Sequence, residues 1–171
     1  MIAFISGIIR MVRKETIVID VHGVGYEVFV GNAYGYKLQD EVFLYTYQHV
    51  REDAILLFGF KKEEDYEVFM RLINVKGIGP KTALNMLAVC PGKDMIEAIE
   101  NDDVKRLKSL PGIGAKAAGQ IILDLKGQLA IPGTVNTKAN INQYSEVREA
   151  LKSLGFKAKE IDDVLVQISI P

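Results

Sequence analysis

The sequence predicts a multidomain chain, β first and α afterwards, on three observations. Residues 1–62 place apolar side chains at alternate positions between glycine-marked turns, which is the period of a strand. From residue 63 the apolar spacing becomes three and four, the period of a helix. Within that helical part, "VKGIGPKTAL" from Val75 and "LPGIGAKAAGQI" from Leu110 are near copies of each other.

The β part divides into five strands. The apolar start "MIAFISGIIRMVRK" reads as the first, because it lacks the basic opening and small-residue cleavage pattern of a signal peptide. "ETIVIDV" sets Ile17, Ile19 and Val21 on one face, "YEVFV" repeats the alternation, and "HGVG" between them (residues 22–25) is a hairpin signal. "EVFLYTYQHV" and "AILLFGF" supply the last two strands, joined by the short turn "RED". A short helix near Asn32–Tyr36 would bridge the two halves. Five strands of this size predict a barrel of the oligonucleotide/oligosaccharide-binding (OB) type over residues 1–62.

In the α part, Tyr66, Phe69, Met70 and Ile73 form the apolar stripe of a first helix. Pro80 stands where proline favours a helix start, followed by "KTALNMLAV". "DMIEAIEN" and "DVKRLKSL" predict two short helices, each opened by an acidic residue suited to capping. Ala118, Ile121, Ile122 and Leu125 define the longest helix, running to about Leu129. Residues 63–130 thus read as two helix–turn–helix copies. Residues 131–143, "IPGTVNTKANINQ" in the main, are polar and aperiodic and read as a linker. Over residues 144–171, Val147, Ala150, Leu151 and Leu154 make one stripe and Ile161, Val164, Leu165 and Ile168 another. Two such helices bury little alone, so the tail is either an incomplete domain or one that depends on a partner.

Composition narrows the function classes. The chain is 49% hydrophobic and 25% charged, which is globular, and no apolar run approaches the ~20 residues that span a bilayer. The single cysteine, Cys90, forms no internal disulfide and suits a reducing, cytoplasmic setting. Net charge is −1, so there is no global basic footprint for nucleic acid. The cations are local, however. Lys76, Lys81 and Lys93 lie in an acid-free stretch around the first glycine turn, and Lys105, Arg106, Lys108 and Lys116 lie in another around the second.

The repeated turn aligns Gly77, Gly79, Lys81 and Ala83 with Gly112, Gly114, Lys116 and Ala118. Glycine serves where the backbone torsion is positive or where another group approaches closely. A Gly-x-Gly turn at a helix start leaves backbone N–H groups facing outward, a concave anion site aided by the helix dipole. Ile78 and Ile113 would point inward, and Lys81 and Lys116 would add charge. Two such cradles would hold two phosphates and read no base sequence. "GIGPKT" lacks the glycine spacing of a nucleotide-binding P-loop and has no parallel strand before it.

This is the helix-hairpin-helix pattern, for which DNA is the expected ligand. A barrel ending in "REDAILLFGF", a tandem helix-hairpin-helix unit, a linker and a small helical tail together resemble the RuvA family, the Holliday-junction-binding subunit of the bacterial branch-migration machinery. The resemblance covers essentially the whole chain. It implies a homotetramer, or an octamer, holding a four-way junction open and flat in recombination and repair. It places phosphate contacts at Gly77, Gly79, Lys81, Gly112, Gly114 and Lys116, with Lys76, Lys105, Arg106 and Lys108 supplying positive field. Glu52 and Asp53 match the family's acidic pin. Without the family, acidic residues in a hairpin turn are ordinary. The tail, UBA-like in the family, would recruit the RuvB ATPase, with RuvC as a further partner. Leu151, Leu154 and Phe156 would be core or contact there. The family expects three tail helices, whereas two stripes precede the terminal "ISIP".

No catalytic group, metal or cofactor is predicted for the chain itself. His22 and His49 stand alone among β residues, without a metal-ligand spacing. A DNA glycosylase would share the second turn but needs an aspartate well downstream, and no acid lies between Asp124 and Glu146. Base flipping relies on stacking groups, and the chain has no Trp. A simple duplex-binding adaptor using the same hairpins is the remaining alternative.

Overall fold

The computed structural model describes residues 1–128 and Leu151. Five strands close a barrel: β1 (Phe4–Val12), β2 (Thr16–Val21), β3 (Val24–Val30), β4 (Glu41–Val50) and β5 (Ile55–Phe60), in the order β1-β2-β3-β5-β4. All neighbours are antiparallel except β3 and β5. The β2–β3 turn puts both His22 (φ +50°) and Gly23 (φ +90°) in the left-handed region, the torsions a two-residue hairpin needs. Asp20 caps that turn by accepting from the Gly23 N–H at 2.8 Å. This bond first, and Arg10 at 3.0 Å second, hold its carboxyl below the usual carboxylate range. A 3-10 turn at Ala33–Gly35 occupies the predicted bridge.

Ile5, Ile9, Ile17, Ile19, Val28 and Leu44 fill the barrel. Gly59 is required inside it, because a Cβ there would lie 2.7 Å from Val28 Cγ1 and 2.8 Å from Leu44 Cδ1. The run Leu57–Phe60 is buried throughout, so β5 is covered on both faces. Leu57 belongs to the barrel core, while Phe58 and Phe60 face the helices and meet Phe69 at ring-centroid distances of 5.9 and 4.7 Å. Barrel and helices share this packing and form one compact unit, Met1–Leu129.

The helices are α1 (Glu63–Leu72), α2 (Pro80–Val89), α3 (Gly92–Glu100), α4 (Val104–Lys108) and α5 (Ala115–Leu125). Three expectations need correction. The buried stripe of α1 is Val68, Phe69 and Leu72, while Tyr66, Met70 and Ile73 are only half-buried at its flanks. Second, α3 starts at Gly92 rather than at Asp94, and its leading N–H is capped from another helix by Asp65 Oδ1 at 2.7 Å. Third, α5 stops at Leu125, four residues early, because Gly127 turns left-handed (φ +77°) and the Gln128 N–H returns to the Leu125 carbonyl. The Asp103 cap of α4 is as expected, accepting from the Arg106 N–H at 3.0 Å.

Cys90 ends α2 as a buried side chain, and burial pushes its thiol pKa up. Among the described residues no helix is long and apolar enough to cross a membrane. Leu151 is helical and half-buried; the linker, Leu154, Phe156 and the second tail stripe lie outside the described residues.

Candidate nucleic-acid interface

The two glycine turns repeat bond for bond. In the first, the Ile78 N–H donates to the Val75 carbonyl at 3.1 Å; in the second, the Ile113 N–H donates to the Leu110 carbonyl at 3.2 Å. Gly77 (φ +92°) and Gly112 (φ +76°) take the left-handed torsion that each turn requires. Ile78 and Ile113 are buried as predicted, and Ala83 and Ala118 are fully buried where each following helix packs. Each turn is thus locked to the core from beneath.

The second glycine of each pair works differently from the first. Gly79 and Gly114 are the N-caps of α2 and α5, both at φ −91°, a torsion any residue adopts. Their carbonyls accept from Ala83 and Ala118 at 3.0 and 2.9 Å. A Cβ at either would meet nothing within 4 Å. Their value is open space above the turn, where an outside group can reach the main chain. Neither helix has a side-chain N-cap, so the first-turn N–H groups of Lys81 and Thr82 in α2, and of Ala115, Lys116 and Ala117 in α5, face outward at the positive end of a helix dipole. The turns are neighbours: a Cβ on Gly112 would lie 3.4 Å from Thr82 Cγ2. Two sets of outward amides therefore sit side by side on one surface.

The cations around them are not equivalent. Lys81 leans back toward the barrel, its ammonium 4.7 Å from the Phe29 ring centroid and 3.9 Å from Glu15 Oε2. Arg106 is half-buried and points to Asp94 Oδ2 at 3.4 Å, so part of its charge is used inside the helical unit. Lys76, Lys105, Lys108 and Lys116 are exposed and form no ion pair among the described residues.

Glu52 and Asp53 are exposed at the tip of the β4–β5 hairpin, which the Arg51 N–H closes onto the Ala54 carbonyl at 2.8 Å. One feature beneath this tip escaped the sequence reading. His49 is not isolated: Arg51 Nε donates to His49 Nε2 at 2.8 Å, and His49 Nδ1 lies 3.3 Å from the Tyr47 hydroxyl. The alternation Tyr47, His49, Arg51 was the available signal. Among the described residues no cluster of His, Cys, Asp and Glu is arranged to hold a metal.

Comparison with known proteins follows this architecture segment by segment. The family description "RuvA N terminal domain" matches residues 1–59, "SAM-like Helix-hairpin-helix tandem" matches 69–126, and "RuvA, C-terminal domain" matches 142–171. The protein of Oceanobacillus iheyensis called Holliday junction branch migration complex subunit RuvA is 43% identical over 176 residues, spanning 96% of this chain and 88% of its own. The chain belongs to the RuvA family. Other RuvA proteins agree: that of Pediococcus pentosaceus is 43% identical over 99% of this chain and 89% of its own, and that of Acholeplasma laidlawii 41% over 99% and 90%. The barrel described above corresponds to the first matched segment and the paired hairpins to the second, and the tail matches the third.

Proposed function

We propose that this chain binds four-way DNA junctions without reading their sequence, holds them open and flat as a tetramer, and recruits the RuvB ATPase for branch migration. The observation that carries this reading is the pair of glycine turns with matching hydrogen bonds and torsions, set side by side with their first-turn amides uncapped by side chains and the space above Gly79 and Gly114 empty. Backbone amides and lysines grip phosphate oxygens, which are alike at every base pair, so recognition follows shape rather than sequence. The chain supplies no hydrolytic chemistry in this scheme; ATP turnover belongs to RuvB. RuvC would meet the same complex on the junction.

Assembly is supported by apolar side chains the barrel leaves in water. Phe4 and Phe43 stack at 5.3 Å on its outer face although 60% and 45% exposed, with Ile8 and Met11 on the same strand as Phe4. Exposed aromatic clusters of this kind mark association surfaces. The reading is tested by titrating the full chain against a synthetic four-way junction and a linear duplex at fixed salt, with the mass of the complex measured. Preference for the junction and a mass of four or eight subunits are expected. Equal affinity for the two DNAs would leave a duplex-binding adaptor instead.

A further inference from the structure

Tyr47, His49 and Arg51 form a hydrogen-bonded line of side chains beneath the hairpin tip. Arg51 Nε donates to His49 Nε2 at 2.8 Å, and the other ring nitrogen, Nδ1, lies 3.3 Å from the Tyr47 hydroxyl. The imidazole therefore fixes the guanidinium without neutralising it. Among the described residues Arg51 forms no ion pair, although Glu52 and Asp53 follow it directly. Both of its terminal nitrogens are without a hydrogen-bond partner among those residues.

This guanidinium borders a groove of about 250 Å³ between the β4–β5 hairpin and the first glycine turn. His49, Arg51 and Leu56 line one wall; Gly79, Lys81 and Thr82 line the other. Arg51 from the barrel and Lys81 from the helical unit thus both line one cleft, with the Lys81 ammonium 3.9 Å from Glu15 Oε2. Phe58 adds an apolar side chain to the lining of the cleft. A planar fork with free terminal N–H groups matches two oxygens of one phosphodiester.

We propose that this groove is a binding site for a DNA backbone phosphate, shared by Arg51 and Lys81, with His49 as the positioning residue for Arg51. The site rests on the junction-binding reading and adds a barrel contact to it. It also gives the hairpin an attractive group directly before its repulsive pair: the strand is held at Arg51 and turned away at Glu52 and Asp53.

The test uses the full chain with fluorescein-labelled four-way and linear DNA of the same arm sequence, read by anisotropy at fixed salt. Arg51→Gln and Lys81→Gln should each weaken binding about tenfold, as loss of a charge-assisted phosphate contact does. Together they should weaken it by less than the product, since they share one phosphate. His49→Phe keeps a ring beside Tyr47 but removes the acceptor; it should cost about threefold alone and nothing further once Arg51 is Gln. Unchanged affinity in Arg51→Gln, fully multiplicative losses with Lys81→Gln, or an equal cost of His49→Phe in both backgrounds would overturn the site. If these fail while the unmodified chain still prefers junctions, only the groove is lost. If the unmodified chain shows no junction preference, the functional reading is lost, and the Arg51 comparison on linear DNA still decides the groove.

Discussion

Gly77 and Gly112 sit at φ +92° and +76°, whereas Gly79 and Gly114 both sit at −91°. Substituting the first of each pair strains the backbone, because an L side chain in the left-handed region costs about 1–2 kcal/mol. Substituting the second adds a methyl to empty space, with only the N-cap preference of glycine over alanine to lose, up to about 1 kcal/mol. Gly77→Ala should therefore lower the melting temperature more than Gly79→Ala does. Gly79→Ala should instead cut junction affinity about tenfold, since a methyl stands where a phosphate would contact the main chain. Thermal unfolding and a DNA titration on the same two variants separate the roles; full affinity in Gly79→Ala would mean that no phosphate approaches there. Tyr36 offers a second residue-scale test. Burial pushes its phenol up to about 12, and Lys61 sits 4.1 Å over the ring. A raised phenol favours the protonated folded form, so this contribution is whole below about pH 10 and is lost as pH climbs toward 12. Denaturant unfolding at pH 9 and 11 should show a smaller alkaline loss in Tyr36→Phe than in the unmodified chain.

At the scale of elements, the helical unit is tied together by a cap between helices. Asp65 in α1 accepts from the Gly92 N–H at the start of α3, and a Cβ at Gly92 would lie 3.0 Å from that same Oδ1. Asp65→Ala should destabilise the unit by about 1–2 kcal/mol, the cost of losing an N-cap, while Asp65→Asn, which keeps an acceptor, should retain most of it. Equal losses in chemical denaturation would show that the charge, not the cap, matters. This cap also shows where the sequence stops being legible. Strand alternation exposed β2 and β3, Pro80 marked the start of α2, and the repeat marked both turns, because each signal is local. Asp94 reads as a cap because it lies beside the helix it would serve, whereas Asp65 is remote in sequence. The stripe of α1 was displaced for a similar reason. Packed against β4, β5, α2, α3 and α5, this helix buries Val68 and Leu72 more deeply than the regular spacing of Tyr66 and Met70 suggested. His49 looked isolated because its partner Arg51 lies beyond the strand, in a turn whose conformation the alternation alone does not fix.

For the whole molecule, charge must be arranged rather than accumulated, since the chain carries 21 basic and 22 acidic residues. A near-neutral protein that grips phosphates through main-chain amides releases fewer counterions than a lysine-rich binder, so its affinity should fall only moderately with salt. The same economy would leave room for acidic groups to act at the DNA. Glu52 and Asp53 stand exposed at the hairpin tip. In a tetramer the four tips would converge on the crossover, facing phosphates from every arm. At 4 Å two like charges repel by about 1 kcal/mol in water and about 4 kcal/mol at an effective dielectric of 20. Summed over four tips, such repulsion would keep strands apart at the centre and stop the junction from being held too tightly to move. A linear duplex offers no crossover and would feel little of it. Removing the charges should therefore act unequally: Glu52→Gln with Asp53→Asn should tighten binding overall while lowering the preference for four-way over linear DNA. Gel-shift titrations of both DNAs with the double variant decide the matter, because repulsion at a crossover predicts a changed ratio. An ordinary polar turn would leave that ratio where it was.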